Sequence, residues 1–226
     1  MITRKELENE RPFVPQRLEQ RAPLHELISN RRSPRSYSGA PVEAWKIVTL
    51  FEAARWSPSS ANEQPWHFIV ATKEDTAAYD ALFGTLMEGN RRWASRAPML
   101  VLGVAQSFYA KSGKPYRHSW YDLGQSVAHL TLQATALGLA VHQMGGFDAE
   151  KAREIFSIPD GYDPVVVLAA GYAESAEHLP DDLRSRELAP RSRKSLEATV
   201  FTEKWGIPSH YITTQHPLLN ELPSTN

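Results

Sequence analysis

Three arginines and one serine stand within five consecutive positions near the start of the chain: Arg31, Arg32, Ser33 and Arg35. The planar guanidinium group of arginine donates two parallel hydrogen bonds to one phosphate, so this cluster suits a phosphate monoester. A solvated basic turn near the end of a helix is the alternative, because cations also favour the negative pole of the helix dipole. The cluster alone leaves both interpretations open.

A second polar segment runs from Ser57 to Phe68 with the sequence Ser-Pro-Ser-Ser-Ala-Asn-Glu-Gln-Pro-Trp-His-Phe. Pro58 and Pro65 fix φ at two points, and the hydroxyl and amide side chains between them offer donors and acceptors to a planar, polar ligand. An ordinary polar turn uses the same residue types. The segment therefore predicts a ligand-binding bend or a plain loop, and the arginine cluster favours the first.

Together the two segments resemble the nitroreductase family of FMN-dependent oxidoreductases. Members open with Arg-Arg-Ser-x-Arg-x-Phe/Tyr, which matches Arg31–Tyr37, and continue with Pro-Ser-Ser-x-Asn-x-Gln-Pro-Trp, which matches Pro58–Trp66. The similarity continues at three further places: Met144–Asp148, Gly171–Tyr172 and Arg191–Arg193. Several separated motifs in the same order are more specific than any one of them.

The resemblance implies FMN as the cofactor, bound by two sets of residues. The set for the phosphate and ribityl chain is Arg31, Arg32, Ser33, Arg35, Arg191 and Arg193. The set for the isoalloxazine ring is Pro58, Ser59, Ser60, Asn62, Met144, Gly145 and Gly146. It also implies that Asn62 bonds the pyrimidine edge, that the glycines present a backbone N–H to flavin N5, and that Arg35 stabilises negative charge near N1 and O2. No catalytic acid or base is implied.

The implied activity is a ping-pong reaction in which NAD(P)H reduces the flavin and leaves before an acceptor enters the same cleft. The acceptor is a nitroaromatic compound, a quinone or another flavin. Two specialised branches of the family, which dehalogenate iodotyrosine or fragment FMN, are disfavoured alternatives. Two other classes also remain open: a non-catalytic FMN or nucleotide-phosphate binding protein, and a structural dimer whose arginines are solvated charge. Glu63 and His118 match no family role.

Composition narrows the function further. The 226 residues, 42% of them hydrophobic, suit one large domain or two small ones with a proper core. A net charge of -1 argues against a nucleic-acid partner, and the lack of cysteine excludes disulfides and cysteine-ligated metals. The start of the chain is charged and no apolar run approaches ~20 residues, so we expect a soluble, cytoplasmic protein without a membrane partner.

Several nucleotide and metal motifs are absent. The sequence has no Gly-x-Gly-x-x-Gly after a strand, no Walker lysine, no Gly-x-Ser-x-Gly and no His-Glu-x-x-His. Rossmann-type NAD binding, phosphoryl transfer, triad hydrolysis and zinc catalysis therefore lose support, and no metal site is expected.

The resemblance implies an α+β, nitroreductase-like fold: a central, mainly antiparallel sheet flanked by helices in an intertwined homodimer. We divide the chain into an N-terminal arm (1–22), an FMN-binding domain (23–200) and a C-terminal extension that wraps the partner subunit (201–226). The family also places the long central helix, predicted here from Ser119 to Leu137, in the dimer interface.

Hydrophobic periodicity and turn residues predict the elements of the domain. The other predicted helices are 24–29, 42–56, 75–87 with a capping box at Thr72 and Asp75, 90–96 and 149–156 after the capping Asp148. The predicted strands are 66–72, 99–105, 139–144 and 165–171, and a charged loop is predicted at 174–195. We expect the strand 66–72 to be mainly buried. Trp45, Val48, Phe51 and Ala54/Arg55 recur on one apolar helix face and are predicted core residues. His67 is predicted to be a packed or hydrogen-bonded core histidine. The segment 106–118 is a predicted mobile loop whose candidate lid aromatics are Phe108, Tyr109, Tyr116 and, just beyond it, Trp120.

Overall fold

The computed structural model describes residues 23–213. Its strands are β1 (Trp66–Thr72), β2 (Met99–Gln106), β3 (Ala140–Met144) and β4 (Tyr162–Gly171). They form one sheet in the order β1-β2-β4-β3, and every neighbouring pair is antiparallel. The predicted arm (1–22) and the end of the predicted C-terminal extension (214–226) lie outside the described residues.

The sheet is central and most buried in the middle. Every residue of β2 is buried, because β2 has a strand on each side and helices on both faces. The side chains of β2 alternate between two apolar clusters: Met99 and Val101 face one, and Leu100 and Leu102 face the other. The predicted antiparallel α+β architecture is confirmed.

Seven α-helices accompany these strands in the described part of the chain. They are α1 (Glu26–Asn30), α2 (Ala44–Arg55), α3 (Thr76–Phe83), α4 (Glu88–Ala94), α5 (Ser119–Ala136), α6 (Ala149–Ile155) and α7 (Asp181–Leu188). Helices α2 and α5 bury Leu50, Ala54, Leu123 and Val127 against one face of the sheet. Helices α3, α4 and α6 contribute to the core on the other face.

Helix α5 follows its predicted pattern closely. Leu123, Val127, Leu130 and Ala134 are all buried, because they recur at the three-to-four residue spacing of one helix face. Gly138, just after the helix, has a φ of +74°. This left-handed conformation, which favours glycine, ends the helix. This helix therefore provides a fixed element against which the site is built.

Five predictions of local structure are wrong. Strand β1 is an edge strand rather than a mainly buried one, and His67 on it is exposed, with Nδ1 3.3 Å from the Pro65 carbonyl oxygen. Residue Asp75 alone caps α3, since its side chain accepts from the Ala78 amide, and Thr72 ends β1. That helix ends at Phe83, before Met87. The predicted loop at 174–195 contains α7.

The prediction that Trp45 and Val48 are core residues is also wrong for the single chain. Trp45 is 48% exposed and Val48 69% exposed, and Trp56 directly after α2 is 75% exposed. We call these three residues the α2 outer face. The residues that α2 buries are Leu50 and Ala54, on its other side.

Within residues 23–213, no helix is both long enough and apolar enough to cross a bilayer. The same residues contain no group of three or more histidine, aspartate or glutamate side chains placed to hold a metal ion.

Candidate functional site

The arginine-rich loop after α1 is joined to the C-terminal part of the domain by Arg191. Its Nη1 donates to the Arg31 carbonyl oxygen at 2.9 Å, and its Nη2 donates to the Ser29 carbonyl oxygen at 2.7 Å. Carbonyls at the end of a helix lack intrahelical partners, and Arg191 supplies donors to two of them. Two segments 160 residues apart in sequence therefore meet at one place.

Four guanidinium groups share this place. The pKa of Arg31 is lowered by burial and by the positive charges of Arg193, Arg191 and Arg32. Burial and the charges of Arg32 and Arg193 also lower the pKa of Arg191. Among the described residues, no carboxylate forms an ion pair with any of these four arginines. Such a set of like charges suits an anion with several oxygens, as a phosphate has.

Ser33 and Arg35 lie beside these four groups in different ways. Arg31 Nη1 donates to the Ser33 hydroxyl at 3.0 Å. The Arg35 amide donates to Glu187 Oε2 at 3.1 Å, and its guanidinium Nη1 lies 3.6 Å from the same oxygen. Arg32 Nη2 donates to the Glu187 carbonyl oxygen at 3.3 Å. Glu187 on α7 thus pairs with Arg35 and orders the arginine-rich loop. Sequence analysis missed this role, because it placed Glu187 in a charged loop at 174–195.

His142 joins the same loop to the edge strand β3. Its Nδ1 lies 2.9 Å from the Pro34 carbonyl oxygen, so this nitrogen carries the donated proton. Burial lowers the pKa of His142, and the positive charges of Arg35 and Arg31 lower it further. A neutral imidazole can hold the loop without adding a further cation to the cluster. Sequence analysis missed this residue because a histidine within a strand carries no signal of its partner.

The paired glycines follow directly after β3. Met144 is buried at the end of the strand, and a Cβ added to Gly145 would meet nothing within 4 Å. The Gly146 carbonyl oxygen accepts from the Met87 amide at 3.0 Å and from Asn90 Nδ2 at 2.9 Å. The backbone at Gly145 is therefore open to a ligand, and Asn90, which sequence analysis missed, holds the turn from behind.

The polar segment before β1 contains strained backbone. Ala61, Asn62 and Gln64 adopt φ values of +54°, +56° and +49°, three of the five positive values found at described residues other than glycine. L-residues rarely adopt this conformation, and such strain concentrates at functional sites. Of the predicted ring-binding residues here, Pro58, Ser60 and Asn62 are exposed and Ser59 is half-buried.

We expect Ala61→Gly to stabilise the protein by about 1 kcal/mol, because glycine adopts positive φ without steric cost and Ala61 is exposed. The matched control is Ala128→Gly, at an exposed position inside α5, which should destabilise by a similar amount. Thermal unfolding of both variants measures the difference. A Tm for Ala61→Gly that falls as far as that of the control would contradict the assigned strain.

Helix α5 and the segment before it hold this polar segment in place. The Ser60 amide donates to Asp122 Oδ2 at 3.0 Å. The Tyr116 hydroxyl shares its one proton between Asp122 and the Ser60 carbonyl oxygen, which lies 3.1 Å away. The Ser57 hydroxyl lies 2.6 Å from His129 Nδ1. Sequence analysis assigned no role to Asp122, because its partner in the polar segment, Ser60, is 62 residues away in sequence.

The segment 106–118 is hydrogen-bonded to its surroundings. The Ala110 amide donates to Glu63 Oε2 at 3.0 Å, which gives Glu63 a structural role. Of the candidate lid aromatics, Tyr116 is buried and packs against Tyr109 with the two rings tilted by 37°, whereas Phe108 packs edge-on against Tyr162. The fourth, Trp120, is 57% exposed in the first turn of α5. Closure of this segment over a substrate stays a prediction.

The two halves of the predicted site lie at opposite edges of the sheet in one chain. The arginine cluster contacts β3 through His142, and Gly145 follows the same strand, whereas Pro58–Asn62 precedes β1 at the other edge. The two edge strands are three strand spacings apart, about 14 Å. The chain thus places Arg31, Arg32, Arg191 and Arg193 near one another at the edge that also carries the glycines, and not beside Asn62.

Comparison with known proteins gives a consistent picture. The model of the nitroreductase family matches residues 28–172, more than half of the chain. A 15.4 kDa uncharacterised protein of Mycolicibacterium smegmatis is 34% identical over 148 residues, which are 62% of this chain and 98% of that protein. A protein of Stenotrophomonas maltophilia with the provisional name NADH dehydrogenase/NAD(P)H nitroreductase is 29% identical over 177 residues, 70% of this chain and 89% of its own.

Two solved structures show the same fold. A crystal structure described as an oxidoreductase containing FMN has a TM-score of 0.78 and 33% identity, and covers 83% of this chain and 95% of its own. A nitroreductase family protein of Clostridium difficile has a TM-score of 0.62 and 27% identity, and covers 79% of this chain and 97% of its own. The predicted family is confirmed, and the chain belongs to the nitroreductase family.

Proposed function

We propose that this protein is an FMN-dependent oxidoreductase that uses NAD(P)H in a ping-pong reaction to reduce nitroaromatic, quinone or flavin acceptors. The observation that carries the proposal is the convergence of Arg31, Arg32, Arg191 and Arg193 without a described carboxylate partner. The family of the chain, the FMN named in one structural neighbour and the NAD(P)H in the name of one relative support the same reading. We further expect a cytoplasmic location.

The residues present fit an FMN phosphate. Four guanidiniums and the Ser33 hydroxyl are all donors. Burial and then mutual repulsion lower the pKa of Arg31 and Arg191, and an anion would offset the repulsion. When bound, FMN would take a hydride from NAD(P)H and deliver two electrons to the acceptor. The protein then has to bind, orient and polarise, and it needs no essential side-chain acid or base.

The ring-binding set divides into two groups by position. Gly145, next to the buried Met144, would present its backbone N–H where no side chain is in the way, and Gly146 would present its own N–H beside the Asn90 side chain. Pro58, Ser59, Ser60 and Asn62 would supply the opposite wall and the amide for the pyrimidine edge. Arg35, half-exposed beside Glu187, would place positive charge near the part of the ring that becomes negative on reduction.

A homodimer would complete the site. The polar segment and the glycines of one chain lie at opposite sheet edges, so a second copy can bring its own polar segment to the glycines. The α2 outer face is a large exposed apolar surface, and a cavity of about 410 Å³ beside it is lined by α1, α2 and α5. The extension from residue 201, which includes the 92% exposed Trp205, would wrap the partner subunit.

The direct test is rapid mixing of the purified, FMN-loaded protein with NADH or NADPH in the absence of oxygen. We expect the visible absorbance of the flavin to bleach with at least one donor, because the proposed reaction transfers a hydride from the nicotinamide to the flavin. A subsequent addition of menadione or nitrofurazone should restore it. The rate of recovery, measured over a panel of acceptors, ranks the substrates.

The other possible results of this test each indicate a different function. A yellow protein whose flavin neither nucleotide bleaches would be a carrier of FMN and would contradict the proposed reaction. A colourless protein that ignores added FMN would contradict the cofactor assignment and favour a structural dimer. Recovery with no acceptor except iodotyrosine, or consumption of FMN itself, would place the chain in a specialised branch.

A further inference from the structure

Asp122 is a buried carboxylate that the proposed reaction does not use. Its side chain is in the first turn of α5, and the residue is 1% exposed. Three groups donate to it: the Ser60 amide at 3.0 Å, the Tyr116 hydroxyl, and Gln125 Nε2 at 3.2 Å. A buried charge is tolerated when donors compensate for the lost water, and here two of those donors come from outside α5.

We propose that Asp122 is a positioning residue for the flavin ring. Its carboxylate accepts from the Ser60 amide and thereby holds the Ser60–Asn62 backbone in its strained conformation. Tyr116 acts with it and makes the segment 106–118 part of the same rigid unit. The proposal rests on the proposed function, because the ring is expected to lie against this backbone.

Asp122 and Tyr116 together fix the peptide groups on both sides of Ser60. Its amide donates to Asp122, and its carbonyl oxygen accepts from the Tyr116 hydroxyl at 3.1 Å. The two residues that follow, Ala61 and Asn62, both have positive φ. A strained pair persists only where the surroundings determine it, and the two contacts to Ser60 provide that constraint where the pair begins.

The segment 106–118 contacts the polar segment at a second point. The Ala110 amide donates to Glu63 Oε2 at 3.0 Å, so the segment is tied to residues before and after the strained pair. Burial and the hydrogen bond to Asp122 raise the pKa of Tyr116, so its hydroxyl stays protonated as a donor. A ligand that orders Ser60–Asn62 should therefore also order Ala110 and Tyr116.

Tyr116→Phe tests the contact with a matched control. Phenylalanine keeps the ring and removes the donor, and we expect FMN affinity to fall about tenfold and the visible spectrum of the bound flavin to shift. Tyr79→Phe removes a comparable buried hydroxyl outside the site, where Tyr79 donates to the Ala97 carbonyl oxygen at 2.7 Å. This control should leave FMN affinity and the flavin spectrum unchanged. Asp122→Asn, which removes the charge at nearly constant volume, should lower affinity by ~30-fold.

A second measurement uses the unaltered protein. Amide hydrogen exchange with and without FMN should show slower exchange across Ser60–Glu63 and also at Ala110 and Tyr116. Equal FMN affinity and spectra for Tyr116→Phe and Tyr79→Phe would overturn the proposal, as would protection of the polar segment without protection of 106–118. Failure of the unaltered protein to bind FMN would instead refute the proposed function.

Discussion

Replacing Arg193 with alanine should lower FMN affinity by about 10- to 100-fold and at the same time raise the Tm of the FMN-free protein. The Arg193 guanidinium donates to the neighbouring Ser192 carbonyl oxygen, and its charge lowers the pKa of Arg31. Its removal therefore relieves repulsion in the empty site and deletes donors to the phosphate in the loaded one. Fluorescence titration with FMN measures the first effect, and thermal unfolding with and without FMN measures the second.

Two further variants separate charge from structure. Arg191→Ala should also weaken FMN binding, but it should lower the Tm of the FMN-free protein, because Arg191 donates to the carbonyl oxygens of Ser29 and Arg31. Arg91→Ala, at an exposed arginine paired with Glu88 on α4, is the control that should leave FMN affinity unchanged. A Tm for FMN-free Arg193→Ala that falls like that of Arg191→Ala would contradict the assigned repulsion.

The gain in Tm should also depend on salt. Interactions between partly exposed charges are screened over about 10 Å at 0.1 M ionic strength, so added salt should reduce the difference between Arg193→Ala and the unaltered protein. A gain that persists at high salt would have another cause than repulsion among the guanidiniums.

Val48→Glu should convert the protein to a monomer that retains no FMN. In the single chain Val48 is 69% exposed, so a charge there costs little, and the fold should survive. In the proposed homodimer, if the α2 outer face is the interface, the same carboxylate would be buried without a partner, which strongly disfavours association. Light scattering after size exclusion measures the mass, and the visible absorbance of the eluted peak measures bound flavin.

Ile155→Glu is the matched control for this variant. Ile155 is another exposed aliphatic residue, 41% exposed at the end of α6, and it lies outside the α2 outer face. It should keep the mass and the flavin of the unaltered protein. A monomeric Val48→Glu protein that still binds FMN tightly would show that one chain completes the site alone, and would overturn the division of the site between two subunits.

The core-forming strands and α5 could be predicted because their signals are local. Strand β2 is a continuous apolar run, and α5 repeats its apolar residues with helical spacing up to Gly138. Helix α7 could not be predicted in the same way, because its mixed charged residues have little periodicity and one buried residue, Leu183. The contact of Arg92 with Asp182 that helps to hold it is long-range.

The role of the α2 outer face could not be predicted from spacing either. The predicted stripe also contains Phe51 and Ala54, and these two residues pack against the core as expected, beside Leu50. Trp45 and Val48 have the same spacing, yet in one chain they are exposed. Periodicity reports that an apolar face exists, and it does not report what covers that face. The same sequence pattern fits a core within one chain and an interface between two.

By itself the sequence determined the family and the residue types of the site, because the motifs at Arg31–Tyr37 and Pro58–Trp66 are short, contiguous and chemically specific. Only the tertiary structure decided which other residues hold these motif segments in place. His142, Glu187, Asn90 and Asp122 act through partners 50 or more residues away, and those pairings exist only after the sheet order β1-β2-β4-β3 has formed. Residue types follow from local sequence, whereas contacts between distant segments follow from the topology that packing selects.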